Sequence, residues 1–559
     1  LLIRGSSVQS RQGPPLNLLV FRTMISNSVI KKSSQSLLIV GPLASLAVSP
    51  STNYDPINLI KLLFISSIAF FNLGLFLTNL SWFTRSVSKE IRILSTLFTL
   101  FLCSTLIFSG APLSQQIWGS FGRNTGFLTY VSLLLILIAT SVILDIKFYK
   151  SLVNILILTS IPMTVYCLIQ VANLDPIGWS EKHPFGTLGN INFSSAFFGL
   201  SSISALSLFL DSTISRLKRI GLIFLVIVDQ LIILSTGSIQ GFMIFVAGSG
   251  IALFILILKN KKLKILRLPY LIITFISTFL VIDGLSNRGP LSRFLFAPSI
   301  VFRTDYWHAG WAMTLSHPFF GVGLDSYGDW YRKARGEIST LRTGPDRISN
   351  TAHNIFLDIS SNGGFPLIIC YILLNLIALY SAIKILKRNS NFSPYFVAIF
   401  STWCGYVIQA LISINQVGVG IWGWIFTGAI IGYERISNEI GNSNTTFKQK
   451  KREKRFSSTL TPLSGVGAFF GFAAGFFLAF IPFFADMKYK SAISSRYMDK
   501  IISSTRLPGS SAFHSELALD TAIKNNLTQQ AREISDYLIS EYPRDFMGWK
   551  ARWVLNTST

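Results

Sequence analysis

Runs of about 20 apolar residues recur from end to end of this chain, each long enough to cross a hydrocarbon core as one helix. Half of its 559 residues are hydrophobic and 13% are charged, whereas a soluble domain carries about 25% charge. The fold class is therefore all-α: a polytopic integral membrane protein. Thirteen candidate spans fall near 36–50, 58–79, 91–109, 126–144, 151–171, 190–210, 218–236, 239–258, 268–285, 354–378, 393–414, 416–433 and 463–484. The first is short and holds Pro42, which makes it the weakest of the set.

Orientation follows from the bias of Lys and Arg toward the cytoplasmic side. With the N-terminus inside, the cytoplasmic segments hold more than half of the 49 basic residues, among them the run from Lys448 to Arg455. The short outer loops hold few: Arg123 alone in 110–125 and Lys182 alone in 172–189. The chain then divides into a cytoplasmic segment 1–35, a transmembrane domain 36–433 with an extracytoplasmic loop 286–353, a basic cytoplasmic linker 434–462, a last span 463–484 and an extracytoplasmic tail 485–559. The net charge of +24 needs no nucleic acid to explain it; it rests on topology and on anionic headgroups.

The tail has helical periodicity from Ser491 onward. Leu517, Leu519, Ala522 and Ile523 line one stretch, and Ala531, Ile534, Leu538 and Ile539 a second, with Pro543 closing that helix and a third beginning near Asp545. Paired helices of this length resemble tetratricopeptide units, about one and a half of them. Stacked repeats need about three to stand alone, so the tail leans on the membrane domain or on a protein partner.

Cys103, Cys167, Cys370 and Cys404 all fall within candidate spans, where they act as small apolar residues. They imply no disulfide framework, and no pair has metal-ligand spacing. The five histidines are dispersed, and no zinc-protease helix, phosphate-binding glycine loop or serine elbow is present. The chain starts at Leu1, and Met24 stands just before a short basic stretch and the first span. Residues 1–23 are accordingly read as a mis-set start or an upstream extension.

Arg, His, Trp and Gly crowd together outside a hydrophobic run only between Phe302 and Pro366. From Phe302 to Leu315 the apolar spacing suits a helix lying in the interface, with Trp307 and Trp311 as anchors. Arg303 opens it, and a guanidinium held at a membrane surface pairs diphosphate oxygens bidentately; the plainer alternative is a solvated or headgroup-binding charge. His353 stands where the loop enters a long span and is followed by Asn354. A neutral imidazole there can take a proton from an incoming hydroxyl, although an interfacial histidine is more often structural.

Four pieces, in their order and spacing, resemble the O-antigen ligase and polymerase family of envelope glycan transferases: HPFGTLGNINFSSAF at 183–197, STGSIQGFMIF at 235–245, RTDYWHAGWAMTLSHPFFGVGLDSYGDW at 303–330 and AHNIFLDISSNGGFPLI at 352–368. The resemblance covers roughly residues 36 to 433. It implies a C-type glycosyltransferase-like helical architecture in the bacterial inner membrane, with a polyprenyl diphosphate-linked glycan as donor and a lipid, glycan or protein hydroxyl as acceptor. Carried over by position, it implies His353 as base and Arg303 as the diphosphate-binding arginine, with no cofactor and no metal, because guanidinium groups can do the neutralising.

This chain departs from the family at Ser238-Ile239-Gln240-Gly241, where members often have Ser-Arg. Arg288 and Arg293, which share the loop with Arg303, are the first substitutes, followed by Lys182 and Arg123. Asn354 and Trp307 complete the candidate binding set. Gly321 and Gly323 after Pro318 suit a tight turn beneath a bulky glycan, and Asn192 or Ser194 caps the span after Gly189. Two other classes fit part of the sequence. A transporter or flippase needs ionisable groups inside its spans, of which Asp229 is the clearest, and a scaffold would use only the tail.

Overall fold

The computed structural model describes residues 27–179, 183–296, 298–442 and 462–557. Every regular element among them is a helix and none is a strand. Nine helices of the described chain are long and apolar enough to cross a membrane. Closed helical hydrogen bonding is what lets a backbone sit in hydrocarbon without unsatisfied polar groups. Of the other expected spans, Phe127–Ser141 is a 15-residue apolar helix, Pro394–Ala410 is 17 residues long and Arg216–Thr236 opens on three basic residues within four.

The expected first span, 36–50, is replaced by something shorter. The helix is Asn27–Val40, and a 3₁₀ turn, Gly41–Leu46, follows it. Pro42 sits at the start of that turn. Having no N–H to donate and a ring that crowds the preceding turn, it begins a new element where it cannot continue the old one. Residues 1–23, Lys182 and the Lys448–Arg455 run lie outside the described residues.

The bundle has two unlike ends. At one, basic side chains tie helix ends together: Lys259 Nζ donates to the carbonyl oxygen of Asn389 at 2.6 Å, Arg388 pairs with Glu434 at 3.1 Å and Arg435 donates to the Ser141 carbonyl at 3.0 Å. At the other, the loops 47–57, 110–125 and 317–354 gather with the tail. The last helix runs Pro462–Ser495, past the expected end at 484, and its final turns put Tyr489 and Ala492 into the core of the tail. There they pack with Ile501, Ala518, Ile534 and Leu538, on Met498–Thr505, Ala512–Lys524 and Thr528–Glu541.

The tail is fastened by Asp486, fully buried on that last helix. Its carboxylate accepts from the backbone N–H of Tyr54 at 2.7 Å and of Asp55 at 3.0 Å, and from His514 Nε2 at 3.0 Å. One carboxylate thus joins the loop 47–57, the last span and the tail. Hydrogen bonds to a buried charge are worth about 1.5–3 kcal/mol each, so the tail is a fixed part of this end of the molecule.

Candidate functional site

Two distant stretches, Pro318–Gly323 and Ser361–Pro366, close on each other. The helix Ile355–Arg388 is broken near its start: Pro366 has no N–H for the Asn362 carbonyl, and Gly364 takes φ 77°. The carbonyls freed at Ser361 and Asn362 accept instead from Val322 N at 2.8 Å and Gly323 N at 3.1 Å, while Phe365 N donates to the Pro318 carbonyl at 2.7 Å. A Cβ on Gly321 would come within 2.3 Å of the Asn362 backbone, so this approach requires glycine. The expected tight turn is therefore present, and its partner is the kinked helix.

His353 stands at the mouth of that helix. Asn354 is its N-cap, with Oδ1 accepting from the N–H groups of Phe356 at 3.0 Å and Leu357 at 3.1 Å. Asp358 lies just beyond, and its carboxylate accepts from Thr351 Oγ1 at 2.6 Å and Ala352 N at 2.7 Å. Thr351 Oγ1 accepts in turn from His353 N at 3.0 Å. These bonds hold His353 at φ 51°, a left-handed conformation that a non-glycine residue keeps only when its surroundings over-determine it.

The imidazole lies against Tyr306, ring centroids 5.3 Å apart and planes 28° apart. Tyr306 is itself braced, edge-on to Tyr331 at 5.7 Å and with its carbonyl accepting from the buried Tyr327 hydroxyl at 2.6 Å. Neither ring nitrogen of His353 has a hydrogen-bond partner among the described residues. Burial, with the positive charges of Arg303 and Arg123 added to it, pushes the imidazole down to about 4. It is neutral at neutral pH, with lone-pair capacity to accept a proton.

Arg303 sits on the helix Pro298–Ser316, three residues before Tyr306 and so on the same face. It is half-buried and has no ion-pair partner among the described residues; burial alone holds its guanidinium below the ordinary arginine range. Arg123 is different. It pairs with Asp325 at 2.6 Å and donates to the Asn350 carbonyl, and Asp325 also accepts from Ser120 N at 2.7 Å. Arg123 thus pins the loops 110–125 and 317–354 together beside His353. Trp307 is half-buried with its indole N–H unpartnered. Arg288 and Arg293 are exposed beyond the end of the helix Arg267–Leu285, and the guanidinium charges that reach His353 are those of Arg303 and Arg123.

The remaining two motifs interlock in the same manner. Asn190, and not Asn192 or Ser194, caps the helix Ile191–Phe209 by accepting from Asn192 N at 2.8 Å. Asn192 is used instead as acceptor for the Ser238 hydroxyl at 2.7 Å, and Ser194 donates to the Phe185 carbonyl. An Asx cap spans only two residues, which left Asn192 free for its partner. Ser195 Oγ donates to the Ser238 carbonyl at 3.0 Å and accepts from Gly241 N at 2.8 Å. In the Ser238-Ile239-Gln240-Gly241 segment, Ile239 is exposed and Gln240 is buried with neither amide atom partnered. Asp229 is buried too, held by the Thr164 hydroxyl at 2.7 Å.

Three of the four motifs, from 235 to 368, fall within residues 220–372, which match the O-antigen ligase family. That match spans about a quarter of the chain. Its matched part runs from the helix Arg216–Thr236 to the first half of Ile355–Arg388 and includes the whole 303–354 segment. The match supports an O-antigen ligase-type reading of this multi-pass membrane protein. No curated protein matches the chain.

The sequence singled out His353, Arg303 and Asn354, and their supports Tyr306, Asp325 and Asp358 were missed. Asp358 had a local signal, an acid in the first turn after an asparagine cap. Asp325 had none, since its partner Arg123 lies some 200 residues away in sequence.

Proposed function

We propose that this chain moves a polyprenyl diphosphate-linked oligosaccharide onto a hydroxyl acceptor at the outer face of the bacterial inner membrane. His353 is the base and Arg303 binds the diphosphate. The observation that carries this reading is a neutral, hydrogen-bond-free imidazole facing the charge of an arginine without an ion-pair partner. A cation so placed calls for an anion. The diphosphate supplies it, and its negative charge raises the imidazole toward the pH where a general base works best.

In the transfer the acceptor oxygen attacks the anomeric carbon, its proton passes to an imidazole nitrogen of His353, and the bond to the diphosphate breaks. The electron pair leaves on the diphosphate, where Arg303 stabilises the developing charge. The leaving group needs no proton. Asn354 and Asp358 act on the geometry of His353, and Arg123 on the loop beside it. The basic residues at the far end of the bundle favour placing that end in the cytoplasm and this one outside.

The test is transfer from a polyprenyl diphosphate donor by the full chain in proteoliposomes. His353→Ala is expected to abolish it at normal expression, and Arg303→Lys to restore little compared with wild type, because a point charge lacks the bidentate fork. Full activity in His353→Ala overturns the assignment of the base. Full activity in Arg303→Lys overturns bidentate recognition.

A further inference from the structure

Beside this site, between the helical tail and the outer loops, lies a cavity of about 380 Å³, within the size range of small-ligand sites. One wall is the tail, through Ser511, His514, Glu516 and Phe546, and the opposite wall is Trp118, Asp329 and Arg332. The edge formed by Asn350 is three residues from His353, and the Asn350 carbonyl is the group that Arg123 holds.

The lining leaves hydrogen-bonding capacity unused. Asn124 Oδ1, Arg332 Nε, Ser511 Oγ, His514 Nδ1 and Arg544 Nη1 are all buried and without a partner. His514 is buried, at 2% exposure, and its Nε2 faces the Asp486 carboxylate, while its Nδ1 has no partner. Buried polar atoms are nearly always paired, so five unpaired ones around one cavity point to a polar occupant.

Its chemistry follows from the mixture. Asp329, Asp346, Asp486, Glu516 and Asp545 outnumber Arg332 and Arg544, which disfavours an anion. Burial and the neighbouring Asp545 push Glu516 up to about 8, and burial pushes Asp329 up to about 6. The raised Glu516 carboxyl, guanidiniums, a hydroxyl and an imidazole alternate as donors and acceptors between aromatic surfaces. That suits a neutral molecule dense in hydroxyl groups with apolar C–H faces.

We propose that the cavity is a saccharide-binding subsite, roofed by the tail, that seats a sugar unit of the acceptor while its free hydroxyl reaches His353. Acceptance of a sugar hydroxyl rests on the transferase reading above. The tail then has a role of its own, since it completes the wall of this subsite.

The test uses the full chain in detergent and, as probe, the oligosaccharide released by mild acid from the host's own envelope glycan. Calorimetric titration is expected to give saturable binding, weakened about tenfold or more in Glu516→Met and abolished in Ser511→Phe, which fills the cavity. Glu516→Met keeps the side-chain volume while removing its hydrogen-bonding atoms, and an unchanged thermal midpoint shows it folded. In the transfer assay both variants are expected to raise the acceptor KM more than they lower kcat. Absence of saturable binding to wild type, or equal affinity in wild type and both variants, overturns the proposal. Since the titration requires no transfer, its outcome stands whether or not His353 proves to be the base.

Discussion

The ring of Tyr306 lies nearly flat on the imidazole of His353, 5.3 Å between centroids. It reaches across from the helix that also carries Arg303, so one tyrosine sets both the orientation of the proposed base and much of its desolvation. Tyr306→Phe keeps the stacking surface and is expected to retain most of the transfer rate. Tyr306→Ala opens the imidazole to water. Its pKa should then climb from about 4 toward the ordinary histidine value of about 6.5, and the acid limb of the pH–rate profile should move up with it. A fall in rate with an unmoved acid limb would leave Tyr306 a purely structural support.

The same depression fixes the sign of the pH dependence in the wild-type protein. A base must be unprotonated, and burial with two nearby guanidiniums disfavours the imidazolium. Activity measured as kcat/KM, which reports the free enzyme, should therefore persist below pH 6 and fall as pH drops through about 4. The kcat profile should fall at a higher pH, since bound diphosphate favours the protonated ring. Coincident profiles near pH 6.5 would mean that the imidazole is neither buried nor close to the arginines.

How much of this was legible in the sequence depends on the range of the interaction. The apolar runs and the chemistry of His353 and Arg303 are local in sequence, and reading along the chain finds them. Asn354 as a cap is local too, which is why a polar residue expected to bind substrate is found bonded to its own helix. What could not be read were pairings across the fold: Asp325 with Arg123, Tyr306 with His353, and the turn at Pro318–Gly323 with the carbonyls freed by Pro366. The short first span was misplaced because hydropathy averages over Pro42, whereas the backbone stops at it.

Asp325 and Arg123 form an ion pair whose side chains are 2% and 11% exposed. Removing one partner of a buried pair leaves an uncompensated charge and costs about 3–5 kcal/mol. Asp325→Ala is expected to lower the thermal midpoint of the detergent-solubilised protein markedly, and Arg123→Met added to it to recover part of the loss. If the double variant is as unstable as the sum of the two single ones, the pair is not coupled and the anchor between the loops lies elsewhere.

Asp358 holds the loop before the helix with two short bonds, to Thr351 and Ala352. Asp358→Asn keeps an acceptor oxygen for the Ala352 N–H but offers the Thr351 hydroxyl an NH2 donor, so that hydroxyl must turn and the carboxylate's stronger bonds are replaced by neutral ones. The expected effect is a loss of about 1.5–3 kcal/mol together with a drop in kcat exceeding that in donor affinity, because the left-handed backbone of His353 is no longer held. Equal activity in Asp358→Asn would show that the imidazole finds its place without this clamp.

Pro366 offers the sharpest separation of stability from function. Pro366→Ala returns an N–H four residues after the Asn362 carbonyl, the acceptor now used by Gly323 N at 3.1 Å. A proline inside a helix costs about 3 kcal/mol, and the three bonds of the interlocked turn contribute about 1 kcal/mol each, so the two effects nearly cancel and the thermal midpoint should change little. The helix, however, gains a reason to straighten, and the turn after Ser316 loses its seat. That turn fixes the Arg303 helix against the helix that follows His353, helped by the Thr314 and Ser360 hydroxyls 3.0 Å apart. Transfer should therefore fall about tenfold or more at near-native stability, since small misplacements of positioning groups carry penalties of that order. Full activity at an unchanged midpoint would mean that the register between these two helices is set without the kink.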